Sequence, residues 1–313
     1  MPFTAKSGKF NASINTVEFG TGDKAVKIGG ENVFPLYSFD AAIENAPKVG
    51  IEITDFGMEH EPECIKKYYE GCATLADMAR KAASMEGVDF LSFRMEGGDP
   101  NGVNKSTEEL IGELKEIADA VDLPLVVCGC KNVEKDAELF SKAAEALNGK
   151  NAVILSAKEE NYKTVGAAAG LAYKQIVGAE SAVDINLAKQ LNVLISQLGV
   201  DSKSVVMNVG SAAVGYGFEY VISTMDRVKA AALQQGDANL QMPIITPVAS
   251  EAWGVKEAMA SETDVPEWGS QEERGIDMEV ETAMAVIAAG SNAVILKHPE
   301  SIKIISGLMK ELV

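Results

Sequence analysis

Eight short, continuously apolar runs punctuate the chain from residue 48 onward: KVGIEI, VDFLSF, PLVVCGC, NAVILSA, QIVGA, SVVMNVG, PIITPVA and NAVILKH. Apolar residues follow one another in these runs instead of alternating with polar ones, so each suits a strand covered on both faces, as parallel strands under helices are. The segments between them place apolar residues at helical spacing. Ser106 opens S-T-E-E, a capping-box pattern with Glu109 at the third helical position. Leu110, Ile111, Leu114, Ile117, Ala118 and Val121 then keep one face until Leu123-Pro124 stops the helix. Asp184 is placed to cap DINLAKQLNVLISQLGV, where Leu187, Leu191, Leu194, Ile195 and Leu198 recur helically before Gly199.

Strand then helix, eight times without a linker, predicts an α/β fold in which residues 48–313 form a (β/α)8 TIM barrel. An open doubly wound sheet is the alternative, but the turn after the first run, TDFGMEHEPE, lacks the G-x-G-x-x-G pattern of that fold. Residues 1–47 carry INTVEFG, a TGD turn and KAVKIGG, which predict an N-terminal β-hairpin extension able to plug the end of the barrel opposite its working face. The pentapeptide NAVIL occurs at 151–155 and again at 292–296. In the barrel reading these are the fourth and eighth strands, opposite one another, and equivalent positions would favour the same letters.

Composition narrows the function. The chain has 313 residues, 47% hydrophobic and 24% charged, as a soluble globular protein has. It contains no eighteen-residue apolar run, and its start, MPFTAKSGKFNAS, does not resemble a signal peptide, so a cytoplasmic location is expected. A net charge of −18 argues against nucleic acid and anionic membranes as partners. Cys64, Cys72, Cys128 and Cys130 lack the paired short spacings of a cluster or zinc site. They are read as buried free thiols, with the 128 and 130 sulfurs on one side of a strand and Cys64 and Cys72 two turns apart on a helix.

In a barrel, chemistry sits at the carboxyl ends of the strands. Lys297 is the best-placed Schiff-base candidate, against which a surface lysine is the plainer reading. His60 and His298 cannot make a metal triad by themselves, and neither a G-x-S-x-G elbow nor a P-loop is present. Asp55, Glu96, Asp184, Asn186 and Asn208 could serve a pterin-binding methyltransferase, the alternative function. The loop after the seventh strand is the longest on this face and holds both tryptophans, Trp253 and Trp268, which suggests a contact surface.

The stretches GGDPNG, PLVVCGC, VEKDAE, EENYK, DINLAKQLN, VGYGFEY, QMPIITPVASEAWGVKEA, WGSQEERGIDMEVETA and ILKHPES, in this order, resemble the small subunit of the corrinoid iron–sulfur protein, the delta subunit family of acetyl-CoA decarbonylase/synthase. The resemblance implies a barrel that forms a heterodimer with a large subunit carrying a [4Fe–4S] cluster and a corrinoid (cobalamin), the corrinoid lying at the interface. It implies methyl transfer from methyltetrahydrofolate, through a transiently bound methyltransferase, to acetyl-CoA synthase in the reductive acetyl-CoA pathway of anaerobes. The subunit itself would be a cap without catalytic residues and without a metal. Contact residues expected on this basis are Gly210, Ser211, Gly215, Tyr216, Gly217, Glu251 and Trp253, with Asp184, Asn186 and His298 as further polar candidates. Asn208-Val209 departs from the acidic residue and proline that the family places before the glycine loop, so no acid is assigned there.

Overall fold

A computed structural model describes residues 8–313; the first seven residues of the predicted extension lie outside the described residues. An antiparallel hairpin, β1 (Val17–Phe19) and β2 (Val26–Ile28), precedes eight parallel strands. These are β3 (Lys48–Thr54), β4 (Phe90–Arg94), β5 (Leu125–Cys128), β6 (Val153–Ala157), β7 (Ile176–Glu180), β8 (Val205–Asn208), β9 (Ile245–Pro247) and β10 (Ala293–Leu296). Each coincides with one of the eight predicted runs. Their order is β8-β7-β6-β5-β4-β3-β10-β9. Met207 of β8 bridges to Ile244, just ahead of β9, and donates its N–H to the Pro243 carbonyl at 2.8 Å, which brings the two ends of the sheet together as a barrel. An open doubly wound sheet would leave those ends apart.

The helices that follow the strands are α1 (Leu75–Ala83), α2 (Thr107–Ala120), α3 (Val133–Ala146), α4 (Tyr162–Val165, running on as a π-helical turn), α5 (Ile185–Gln197), α6 (Phe218–Leu233), α7 (Gln271–Ala289) and α8 (Pro299–Leu312). Ser106 accepts the Glu109 N–H at 3.1 Å, so half of the expected capping box forms there. The reciprocal box is found instead at Thr74 and Asp77, at the start of α1. Asp184 caps α5 through the N–H groups of Asn186 and Leu187, and Gly199 follows the helix at φ +102°, where a side chain would be strained. The helix expected across Cys64 and Cys72 breaks after Lys66 into a 3-10 turn, and both thiols are half-buried rather than buried.

The two NAVIL copies do lie on opposite strands, but their faces are exchanged. In β6, Val153 and Leu155 point into the barrel while Ile154 faces the helices; in β10, Ala293 and Ile295 point inward while Val294 and Leu296 face out. A strand buried on both faces is indifferent to a one-residue slip that would ruin an amphipathic one, so identical letters here do not imply equivalent positions.

Val17, Phe19, Val26 and Ile28 of the hairpin join one buried cluster with inward residues from the barrel, among them Phe90, Val126, Val153 and Ile295. Phe19 meets Phe90 edge to face at 5.5 Å. The asparagines before β6 and β10 tie the N-terminal segment to this end: Asn151 donates to the Glu18 carbonyl at 2.9 Å, and Asn292 to Glu31 at 2.8 Å. Lys229 of α6 completes the second tie. Its Nζ lies 2.8 Å from Glu31 Oε1 and 2.9 Å from Asn292 Oδ1, with all three residues buried. With the amino ends of the strands stopped in this way, the carboxyl ends form the open mouth.

Candidate functional site at the barrel mouth

Two adjoining clefts occupy the mouth, of about 280 and 350 Å³. They share Arg94, Gly129, Lys131 and Ser250, and an ion pair between Lys131 and Glu251, 3.3 Å long, connects the loops after β5 and β9 at their boundary. Arg94 ends β4 and is 7% exposed. Its Nε and Nη2 both lie against one oxygen of Glu52 on neighbouring β3, at 2.9 and 2.8 Å, and only the Nε–H makes a well-directed hydrogen bond. Burial alone would favour loss of the guanidinium proton; Glu52 more than offsets this and holds the group charged.

The first cleft is lined on its far side by Ser156, Glu180 and Asn208. Ser156 donates to Glu180 at 3.0 Å and accepts from the Asn208 amide at 3.1 Å, while Lys158 pairs with Glu180 at 3.2 Å. Ala182 and Val183 line the same cleft with positive φ of 45° and 67°, a conformation that costs energy for non-glycine residues and most of all for a β-branched one. Gly210 packs there, and a Cβ on it would come within 3.0 Å of Val183.

Lys297 is neither of the things its sequence suggests. Its side chain is only 13% exposed, and its Nζ sits 2.6 Å from Glu61. Burial would lower its pKa, but the Glu61 and Glu52 carboxylates raise it above the ordinary lysine value, so it stays an ammonium and offers no free amine for a Schiff base. Asp55 is likewise engaged, accepting the Gly97 N–H at 3.0 Å and pairing with Lys105 at 3.1 Å. Gly97 is required by that contact, because a Cβ would lie 2.3 Å from Asp55 Oδ2. The GGDPNG stretch is therefore shaped around a buried carboxylate.

β5 ends at Cys128, so Cys130 escapes the strand's alternation. Cys128 stays in the barrel interior and Cys130 turns to Asp136 of α3, with Sγ at 3.2 Å from Oδ1. Burial pushes the Cys130 thiol up to about 12 and raises that of Cys128 as well, so both sulfurs remain protonated and apart. Among the described residues no group of three His, Cys, Asp or Glu is disposed to hold a metal ion, and no helix is long and apolar enough to cross a membrane.

Of the residues expected to form a contact face, Gly210, Ser211 and Glu251 line the first cleft and Trp253 the second. Gly215 lies on a shallow outer groove with Phe218, Tyr216 is exposed and donates to Glu257 at 2.7 Å, and Gly217 starts α6 at φ +79°. Asp184 and Asn186 stand at the start of α5, outside both clefts. The five polar candidates for a pterin do not converge: Asp55 is consumed by the loop after β4, Glu96 lines one cleft, Asn208 the other, and Asp184 and Asn186 neither.

Trp253 and His298 are buried rather than presented, at 5% and 0% exposure. Their rings stack at 5.9 Å with 14° between planes, and Tyr68 meets the imidazole edge-on at 5.2 Å. His298 Nδ1 accepts the Glu300 N–H at 3.1 Å and caps α8, which leaves the proton on Nε2, 3.4 Å from Glu272. Burial lowers the His298 pKa from 6.5 to about 4, against the opposing pull of Glu272. The unfolded chain then takes up a proton between about 6.5 and 4 that the folded one refuses, so this group's contribution to stability is present above that window and is lost as pH falls through it. We expect the His298 ring signals in a nuclear magnetic resonance titration to hold the neutral Nε2–H form down to about pH 5; a midpoint near 6.5 would contradict the burial argument.

Arg94, at the end of the second strand run, is legible as a residue of the working face, and its partner Glu52 leaves a signal in the letters too. Glu52 interrupts an otherwise apolar strand run and Arg94 closes another, and charges in buried strands require a partner.

Comparison with known proteins places this geometry in a family. A delta subunit of the acetyl-CoA decarbonylase/synthase complex from Methanothermobacter thermautotrophicus is 31% identical over 299 residues, covering 95% of this chain and 75% of that protein. The corresponding subunit of Methanopyrus kandleri is 32% identical, covering 93% and 71%, and delta 1 of Methanosarcina thermophila 29%, covering 94% and 67%. Among solved structures, dihydropteroate synthase from Thermus thermophilus in complex with 4-aminobenzoate shares the barrel, with a TM-score of 0.56 at 13% identity over 95% of this chain and all of that one. Residues 16–309 match the family described as CO dehydrogenase/acetyl-CoA synthase delta subunit, and this chain belongs to that family.

Proposed function

We propose that the chain is the small subunit of a corrinoid iron–sulfur protein, and that its barrel mouth covers the corrinoid carried by a larger, cluster-bearing subunit during methyl transfer toward acetyl-CoA synthase. The observation that carries this reading is the state of the mouth in a chain from a complex-subunit family. Its ionisable groups are fixed against one another as Glu52 with Arg94, Glu61 with Lys297, Glu180 with Lys158 and Glu251 with Lys131, which suits a surface that binds and excludes water better than one that moves protons. The rim adds what a partner surface needs: Val103, Tyr216, Tyr220, Met259 and Trp268 are exposed, and the chain's net charge of −18 favours a basic partner.

Trp268 is held for such a role. Lys256 and Arg274 flank its ring at 5.2 and 5.7 Å, and Arg274 also donates to the carbonyls of Glu257 and Ala260, so the long loop after β9 is a shaped wall. The methyl donor's own enzyme and acetyl-CoA synthase would approach the same face in turn. Co-expression with the cluster- and corrinoid-bearing subunit, with cobalamin supplied, is expected to yield one heterodimer on a sizing column that absorbs in the visible as a bound corrinoid does. Separate elution of the two chains would defeat the proposal.

A further inference from the structure

The Arg94 guanidinium makes one well-directed hydrogen bond, from Nε to Glu52; Nη2 is buried 2.8 Å from the same oxygen but poorly directed toward it, and Nη1 makes no hydrogen bond within the chain, although the residue is more than nine-tenths buried. A donor left without a well-directed acceptor in a buried position is costly, so a group so placed is ordinarily answered by water or by a ligand. Arg94 lies at the boundary of the two clefts and lines both. A second buried polar atom of the first cleft's wall, Ser211 Oγ, also lacks a hydrogen-bond partner.

Charge decides which acceptor fits. The four basic groups of the mouth are each matched by a carboxylate, and Glu96 and Asp99 add negative charge to the second cleft. A phosphate or carboxylate would find no surplus positive charge and several negative neighbours. A neutral carbonyl oxygen would meet the free edge of Arg94 without that repulsion. An NH2 group beside the carbonyl would in turn find acceptors in the Glu180 and Ser156 wall.

We propose that Arg94 and the cleft walls form a recognition site for a neutral carboxamide, the group that a corrin ring carries around its rim. This rests on the functional reading above and adds to it a specific anchor: the cap engages the cofactor's edge through Arg94, and Glu52 orients the guanidinium from behind.

The test compares the affinity of this subunit for the large subunit loaded with cobalamin and for the same subunit emptied of it. The wild-type chain is expected to prefer the loaded form, and Arg94→Gln to reduce that preference by about tenfold to a hundredfold, the range for a hydrogen bond from a charged donor. Glu52→Gln combined with Arg94→Gln removes the orphaned carboxylate and serves if the single variant does not fold, which circular dichroism melting reports. Loading the partner with a corrinoid whose rim amides have been hydrolysed to carboxylates is expected to weaken wild-type binding. A wild-type preference that survives in both Arg94 variants overturns the anchor and leaves the capping function standing. Tighter binding of the hydrolysed corrinoid overturns the neutral-ligand assignment. A wild-type chain indifferent to cobalamin removes the capping function itself and the anchor with it.

Discussion

Replacing Lys229 by Met is expected to lower the free energy of unfolding by about 3–5 kcal/mol at neutral pH, the cost of leaving a buried charge without its partner. Lys229 is 1% exposed, and its ammonium joins Glu31 and Asn292 at the closed end of the barrel, Glu31 lying 198 positions away in sequence. Burial by itself would raise the Glu31 pKa, but the Lys229 charge and hydrogen bonds from Lys229 and Asn292 bring it below the ordinary carboxylate value. A carboxyl so depressed contributes stability above its unfolded pKa and loses it as pH falls through the folded one. In the variant the opposing charge is gone and burial prevails, so Glu31 takes up a proton more readily folded than unfolded. The deficit of Lys229→Met should therefore shrink on acidification to about pH 5, while the wild type gains nothing. Urea unfolding at the two pH values measures this. Adding Glu31→Leu should recover most of the loss at neutral pH, since an apolar pair of similar size replaces a buried ion pair at little cost. A Lys229→Met variant within about 1 kcal/mol of wild type would refute the account, because that is the scale of an exposed pair.

The second large effect is at Trp253. Trp253→Ala should cost about 3–5 kcal/mol, as removal of a large buried ring does. The indole stacks on the His298 ring and lies against Gly275 of α7, where an added Cβ would stand 2.2 Å from the ring. α7 can approach the loop after β9 only because that position is glycine, and the wall of the second cleft is built on the contact. In a Trp268→Phe background the remaining tryptophan fluorescence should be blue-shifted, and Trp253→Phe should cost much less than Trp253→Ala. If Trp253→Ala leaves stability within about 1 kcal/mol of wild type yet abolishes partner binding, the ring is a contact residue and the packing account fails.

These two sites show unequal legibility in the letters. The eight strands and the helix caps at Ser106 and Asp184 can be read because they depend on residues a few positions apart: periodicity, a short side chain before a helix, a glycine after it. The mouth can be located because a barrel's carboxyl end is fixed once its strands are known. Its contents cannot. A place in a long loop suggests that Trp253 presents itself, but whether a loop residue faces solvent depends on what packs over it, here Gly275 of a helix further along the chain. The plainer reading puts Lys297 at the surface; Glu61, from the loop after β3, buries and holds it across 236 positions. The repeated NAVIL marks two strands correctly and suggests an equivalence that does not hold.

The alternation of elements, the count of eight, the hairpin and the family are all written in local pattern or in the order of matching segments. Which residues face inward, which lysine is masked, and where a buried guanidinium keeps an edge unmatched within the chain emerge only when the barrel closes. Each has the same cause. Strands apolar on both sides carry no signal for register, and buried charges select partners that barrel closure, rather than proximity along the chain, brings together.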